Sequence, residues 1–163
     1  MSGRVEKLMQ GYQKMVLERS CLENQIRNFQ GITEEEMIDS LHFSQPDGER
    51  LQTSDISDKT GRIAVSYKDK MDRINQEWQA HLEKKHAVLV AELLFFESAV
   101  LSLSGILPEF ISDMVINGLS WDELAIQYHI SRSMVAKNRK KAIRELENLY
   151  ASHDKELAEY MLS

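Results

Sequence analysis

Apolar side chains in the first thirty positions recur at alternating steps of three and four. Val5, Leu8, Tyr12, Met15, Leu22, Ile26 and Phe29 keep the rhythm, with Arg19 as its one charged interruption. This is an a/d heptad seam, and it predicts a helix over residues 4–29 that needs a partner helix. Gln30–Gly31 closes it. In "GITEEEMIDSLHF", Thr33 and Glu36 have capping-box spacing, which predicts a short helix through about Leu41. "SQPDGERLQTSDISDKTG", residues 44–61, reads as loop, with Pro-Asp-Gly as a turn. No helix breaker then appears from Arg62 to Leu103. Tyr67, Met71, Ile74 and Trp78 restore the three/four spacing, and Leu82, Leu89, Leu93, Phe96, Val100 and Leu103 carry the apolar face onward. A helix of about forty residues would be about 60 Å long. The simplest arrangement folds residues 4–29 back along the first half of this long helix; a dimeric bundle satisfies the pattern equally.

"SLSGILPEF" marks a boundary, with Pro108 suited to a first helical turn. A helix over 109–116 should end at Asn117–Gly118. Ser120 and Glu123 form a second capping box, opening a helix whose inner face is Leu124, Ala125 and Tyr128. His129–Ser131 makes a tight turn with Ile130 directed inward, and Ser131 caps the next helix. That helix buries Val135, Ala142, Leu146 and Leu149. Two short helices, a tight turn and a small residue where they approach describe a helix-turn-helix. The expected fold is all-α. It has an N-terminal long-helix coiled-coil or bundle part (1–104), a helix-turn-helix domain (105–151) and a C-terminal tail helix (152–163).

Composition agrees with this fold class. Two prolines and seven glycines interrupt 163 residues that are 42% hydrophobic, so a core is attainable. The single cysteine, Cys21, excludes an intramolecular disulfide and a multi-cysteine zinc site. The most apolar run, "AVLVAELLFFESAVLSLSGIL", is interrupted by Glu92 and Glu97, which favours a buried helix over a bilayer span. A cytoplasmic protein with no membrane partner is the expectation.

Charge changes the picture more. The formal net charge is -6, yet residues 131–144 hold Arg132, Lys137, Arg139, Lys140, Lys141 and Arg144 with no acid, so the rest of the chain carries -12. A basic face on a helix is often only a solvated surface. Here it coincides with the capping box, the turn and Ala125, and that agreement points to double-stranded DNA as the partner. Lys and Arg neutralise phosphates and supply non-specific affinity. The first turn of the second helix meets base edges, where Arg132 suits a guanine through two hydrogen bonds. Lys140, Lys141 and Arg144 lie farther along and suit backbone phosphates.

"GLSWDELAIQYHISRSMVAKNRKKAIREL" resembles region four of bacterial sigma factors, and "ILPEF" resembles that family's preceding helix. The similarity covers about residues 106–149. It implies that Arg132, Ser133 and Lys137 hold base-reading positions and that Ser120 and Trp121 approach phosphate, with Ser131 at the turn. The family often has an acid where Ser133 stands and Gln where Lys137 stands, so its promoter preference does not carry over. Asn138 occupies a commonly apolar position. Nothing upstream resembles a promoter-melting domain. The whole layout is similar to small phage and prophage transcription regulators of the ArpU and RinA type. This implies a regulator of phage or mobile-element genes, and the leading expectation is an activator whose N-terminal part forms a homo-oligomer or contacts host RNA polymerase.

Other signals are weaker. His81 and His86 lie five apart, off the spacing that best shares a metal, and read as helix surface. Cys21 has no His in sequence reach. Trp78 and Trp121 read as packing residues. No phosphate loop, zinc-finger spacing or nucleophile elbow suggests an enzyme or a cofactor. Two alternatives stay open: a small terminase-like DNA-packaging subunit, which would form a ring, and a sigma-like factor, which would need its own melting domain.

Overall fold

The computed structural model describes residues 3–31, 33, 35–36 and 57–163. Their secondary structure is helical throughout, with no strand among the described residues. Helix α1 spans Arg4–Arg27, α2 Ser57–Leu101, α3 Leu107–Ile111, α4 Trp121–Tyr128 and α5 Arg132–Leu162. No helix among the described residues is long and apolar enough to cross a membrane.

Several boundaries differ from expectation. The long helix α2 begins at Ser57 rather than 62, has 45 residues, and runs unbroken through Lys84–Lys85. Gly61 reads as a breaker in sequence, but one interior glycine costs a helix only about 1 kcal/mol. The rest of the predicted loop, 44–56, lies outside the described residues. So does most of the helix expected after Thr33. Its capping box is described: Thr33 N–H donates to Glu36 Oε2 at 3.0 Å, and Glu36 N–H to Thr33 Oγ1 at 3.2 Å. The tail expected as a separate helix is continuous with α5, because no Gly or Pro stands between Arg132 and Leu162.

The chain divides into two compact units, Met1–Cys21 with Val88–Ser163, and Leu22–Ala87. The boundary expected at residues 104–105 therefore separates no independent body. A helix-turn-helix this short has too few apolar residues to close a core by itself. In the first unit, Val5, Met9 and Tyr12 of α1 and Leu93, Phe96 and Val100 of α2 join Phe110, Ile111, Leu124, Val135 and Leu146 as buried residues. Met9 is buried where the heptad rhythm expected Leu8. Residues 4–21 lie against the second half of α2 rather than the first. The Tyr12 ring is 5.6 Å from Phe96, and its hydroxyl donates to Glu97 Oε1 at 2.6 Å.

Helix α3 widens into a π-helical turn, Ser112–Ile116, which ends when Asn117 N–H reaches back to the Ser112 carbonyl at 2.9 Å. Gly118, at φ 71°, then reverses the chain. The carbonyls of a helix end need outside donors. Gln13 supplies two from α1: its Nε2 donates to the Val115 carbonyl at 2.8 Å and to that of Ile116 at 2.7 Å.

In the second unit, Leu22 and Leu82 are the fully buried apolar residues among those described. His86 is paired rather than merely solvated, with Nε2 3.2 Å from Glu23 Oε1. Gly31 adopts φ 82°, and a Cβ there would stand 2.9 Å from the Asn75 amide nitrogen, which explains why glycine follows α1. Trp78, expected in packing, is 43% exposed and stacks on His81.

Two buried phenols separate by chemistry. Burial first, then the Glu97 hydrogen bond, raises Tyr12 from 10.0 to about 12. Tyr150 is also raised to about 12, by burial against the opposing effect of Arg4. Its hydroxyl has no hydrogen-bond partner among the described residues. A phenol whose folded pKa exceeds its unfolded value stabilises the fold below the unfolded pKa, and that contribution is lost as pH rises through the folded one. Tyr12→Phe is therefore expected to cost about 1 kcal/mol at neutral pH. That deficit should shrink as pH climbs from 10 to about 12. Tyr150→Phe should cost nothing at neutral pH. Urea unfolding at both pH values checks this, and equal neutral-pH losses for the two variants would contradict it.

Candidate nucleic-acid interface

The turn between α4 and α5 is built from local hydrogen bonds. Ser120 Oγ accepts from Glu123 N–H at 3.2 Å and Ser120 N–H donates to Glu123 Oε2 at 3.1 Å, so the expected capping box is complete. Two donors at the start of α4 are thereby satisfied. The helix stops at His129, a left-handed residue at φ 55°. Ile130 N–H returns to the Ala125 carbonyl at 3.0 Å. Ser131 then caps α5 by accepting from Met134 N–H at 3.2 Å, and its hydroxyl sits 3.0 Å from that of Ser133.

A carboxylate that sequence reasoning missed locks α4 in place. Asp113, in the π-helical turn, accepts from Asn117 Nδ2 at 2.9 Å, Gln127 Nε2 at 3.0 Å and the Tyr128 hydroxyl at 2.6 Å. Burial and then this hydrogen bond push the Tyr128 phenol well above its ordinary value. No spacing rule links Asp113 to residues fourteen and fifteen positions later. The nearest legible sign was Tyr128 itself, whose hydroxyl needs a partner once its ring packs against Phe110.

Helix α5 buries Val135, Ala142, Leu146 and Tyr150. Leu149, expected inward, is 36% exposed, because the apolar row continues by a step of four to Tyr150. On the opposite side, Ser133, Lys137, Lys140, Lys141 and Arg144 are all exposed. At 3.6 residues per turn they fall within an arc of roughly 100° facing away from the core. Arg132, in the first turn, is exposed outside that arc, about 80° from its nearer edge and beside α4. Ser120, Trp121 and Ser131 are exposed around the turn. All nine residues singled out in sequence thus reach the surface, with Trp121 there rather than in the core.

The sixth cation behaves differently. Arg139 is directed inward, its side chain only 20% exposed, with Nη2 3.2 Å from Glu6 Oε1 of α1. Arg4, also on α1, pairs with Asp154 at 3.1 Å, over the ring of Tyr150. Glu145 turns away from the basic arc to accept from the Ser104 amide and hydroxyl, both at 3.0 Å. Lys137, Lys140, Lys141 and Arg144 form no ion pair among the described residues, whereas Arg132 Nε stands 3.4 Å from Asp122 Oδ1. The face is thus cationic and uncompensated along most of its length.

Comparison with family models, with curated proteins and with solved structures found no match for the chain.

The sorting of cations predicts two kinds of stability effect. Glu6→Ala leaves a half-buried guanidinium without its acceptor and is expected to cost about 1.5–3 kcal/mol. Lys140→Ala, which removes an exposed unpaired charge, should change stability by no more than about 0.5 kcal/mol. Urea unfolding of both variants separates them, and a loss at Lys140 equal to that at Glu6 would mean the basic face is structural.

Proposed function

We propose that the chain is a sequence-specific, double-stranded DNA-binding transcription regulator. Within that class, we read it as an activator of phage or mobile-element genes that works with host RNA polymerase. One observation carries the reading. A capped helix after a tight turn directs Ser133, Lys137, Lys140, Lys141 and Arg144 to one exposed arc, with Arg132 exposed at the helix start beside α4, in a protein that is otherwise acidic. Acid elsewhere in the chain repels a duplex, so binding is confined to the surface that can read it.

The division of labour follows from position along α5. Arg132, Ser133 and Lys137, in the first two turns, meet base edges in the major groove. Lys140, Lys141 and Arg144, one to two turns farther on, hold phosphates, and Ser120 and Trp121 approach the backbone from α4. One such helix reads a single half-site, so a second copy of the chain is expected on the operator.

Selection of bound duplexes from a randomised pool tests the assignment. The wild type should enrich a defined site. Arg132→Ala with Lys137→Ala should abolish the preference. The triple change K140A/K141A/R144A should weaken all duplexes alike and reduce the salt slope of log K by about 2.7. Intact selective binding by the Arg132/Lys137 variant would remove the reading.

A further inference from the structure

We infer that Asp122 and Trp121 are positioning residues that hold Arg132 for a guanine and away from phosphate. The inference rests on the duplex-reading assignment and deepens it. Arg132 differs from the exposed cations of the basic arc. Among the described residues it has an acid beside it, with Nε 3.4 Å from Asp122 Oδ1. Its guanidinium carbon also lies 5.9 Å from the centre of the Trp121 ring, within cation–π range. Both partners sit in the first turn of α4, which the Ser120–Glu123 box holds in register.

The geometry selects among the ways an arginine can bind. The guanidinium nitrogen nearest Asp122 is Nε, and the two terminal nitrogens are left for an external acceptor. That end of the fork matches the paired O6 and N7 acceptors of guanine. Asp122 also changes which acceptor is preferred. A phosphate approaching Arg132 brings a negative charge towards a carboxylate, whereas a base edge is neutral. Lys137, Lys140, Lys141 and Arg144 have no such neighbour among the described residues and take phosphate freely. Arg132 and Asp122 are 68% and 73% exposed. A pair so exposed is weak, so a guanine competes without first breaking a strong bond.

The test uses the full chain and a duplex enriched from a randomised pool by the wild type. The guanine whose enrichment Arg132→Ala abolishes is replaced by 7-deazaguanine, which lacks the N7 acceptor but keeps the charge unchanged. The wild type is expected to lose roughly tenfold in affinity, and Arg132→Ala nothing. Asp122→Asn should lose only about threefold on the same replacement. It should also bind unselected duplex about threefold more tightly than the wild type, because Arg132 is released to phosphate. Unchanged circular dichroism would exclude loss of α4. An equal 7-deazaguanine penalty in the wild type and Asp122→Asn overturns the inference and leaves the DNA assignment standing. So does enrichment of sites with no guanine dependent on Arg132. Failure of the wild type to enrich any duplex overturns both.

Discussion

Arg139 and Glu6 meet in a half-buried contact that, together with the apolar row of α5, marks which face of that helix turns inward. A helix is rigid about its own axis, so fixing one face fixes the opposite one. The apolar row Val135, Ala142, Leu146 and Tyr150 seats α5 in the core, and the Glu6 carboxylate draws in the one basic residue that falls on that side. The remaining basic residues have nowhere to go but outward. α1 is therefore more than a packing partner, since its Glu6 supplies the carboxylate that pairs the part-buried Arg139.

The same helix completes the fold around the turn. Gln13 donates to the last carbonyls of the π-helical turn, and Asp113 in that turn binds Gln127 and Tyr128 of α4. A chain of hydrogen bonds thus runs from α1 through the widened turn to the helix that precedes α5. The links to the Val115 carbonyl and the Tyr128 hydroxyl are part-buried, where a lost partner costs most, and those to Ile116 and Gln127 are exposed. The widened turn is stable here because its free carbonyls meet an amide and its carboxylate meets three donors.

What could be read in the sequence was what local rules govern. The capping boxes at Thr33 and Ser120, the cap at Ser131 and the bend at His129 each depend on residues three or four positions apart, and each was legible. The surface position of Ser133, Lys137, Lys140, Lys141 and Arg144 followed from helical periodicity, whereas Arg132 is exposed because it stands in the first turn. The errors lie where distant residues decide. Leu8 and Met9 are both apolar and adjacent, and Met9 is the one that is buried. Leu149 and Tyr150 continue the apolar row at steps of three and four, and only the neighbouring Phe95 ring and Arg4 favour the tyrosine. The contacts of Gln13 with Val115 and of Glu6 with Arg139 cross more than a hundred positions and leave no periodic trace. Gly105 and Pro108 punctuate the chain locally, whereas the compact units follow contacts between distant residues.

The continuity of α5 has a mechanical consequence. Its 31 residues hold no proline or glycine, and each of the last twelve, from Ala151 to Leu162, is exposed, with His153 against the Phe95 ring and Asp154 paired with Arg4. Those three turns extend about 18 Å past the last core residue, Tyr150. A helix without a hinge transmits torque. A load applied at the far end is therefore carried along the helix axis to the turn at Ser131.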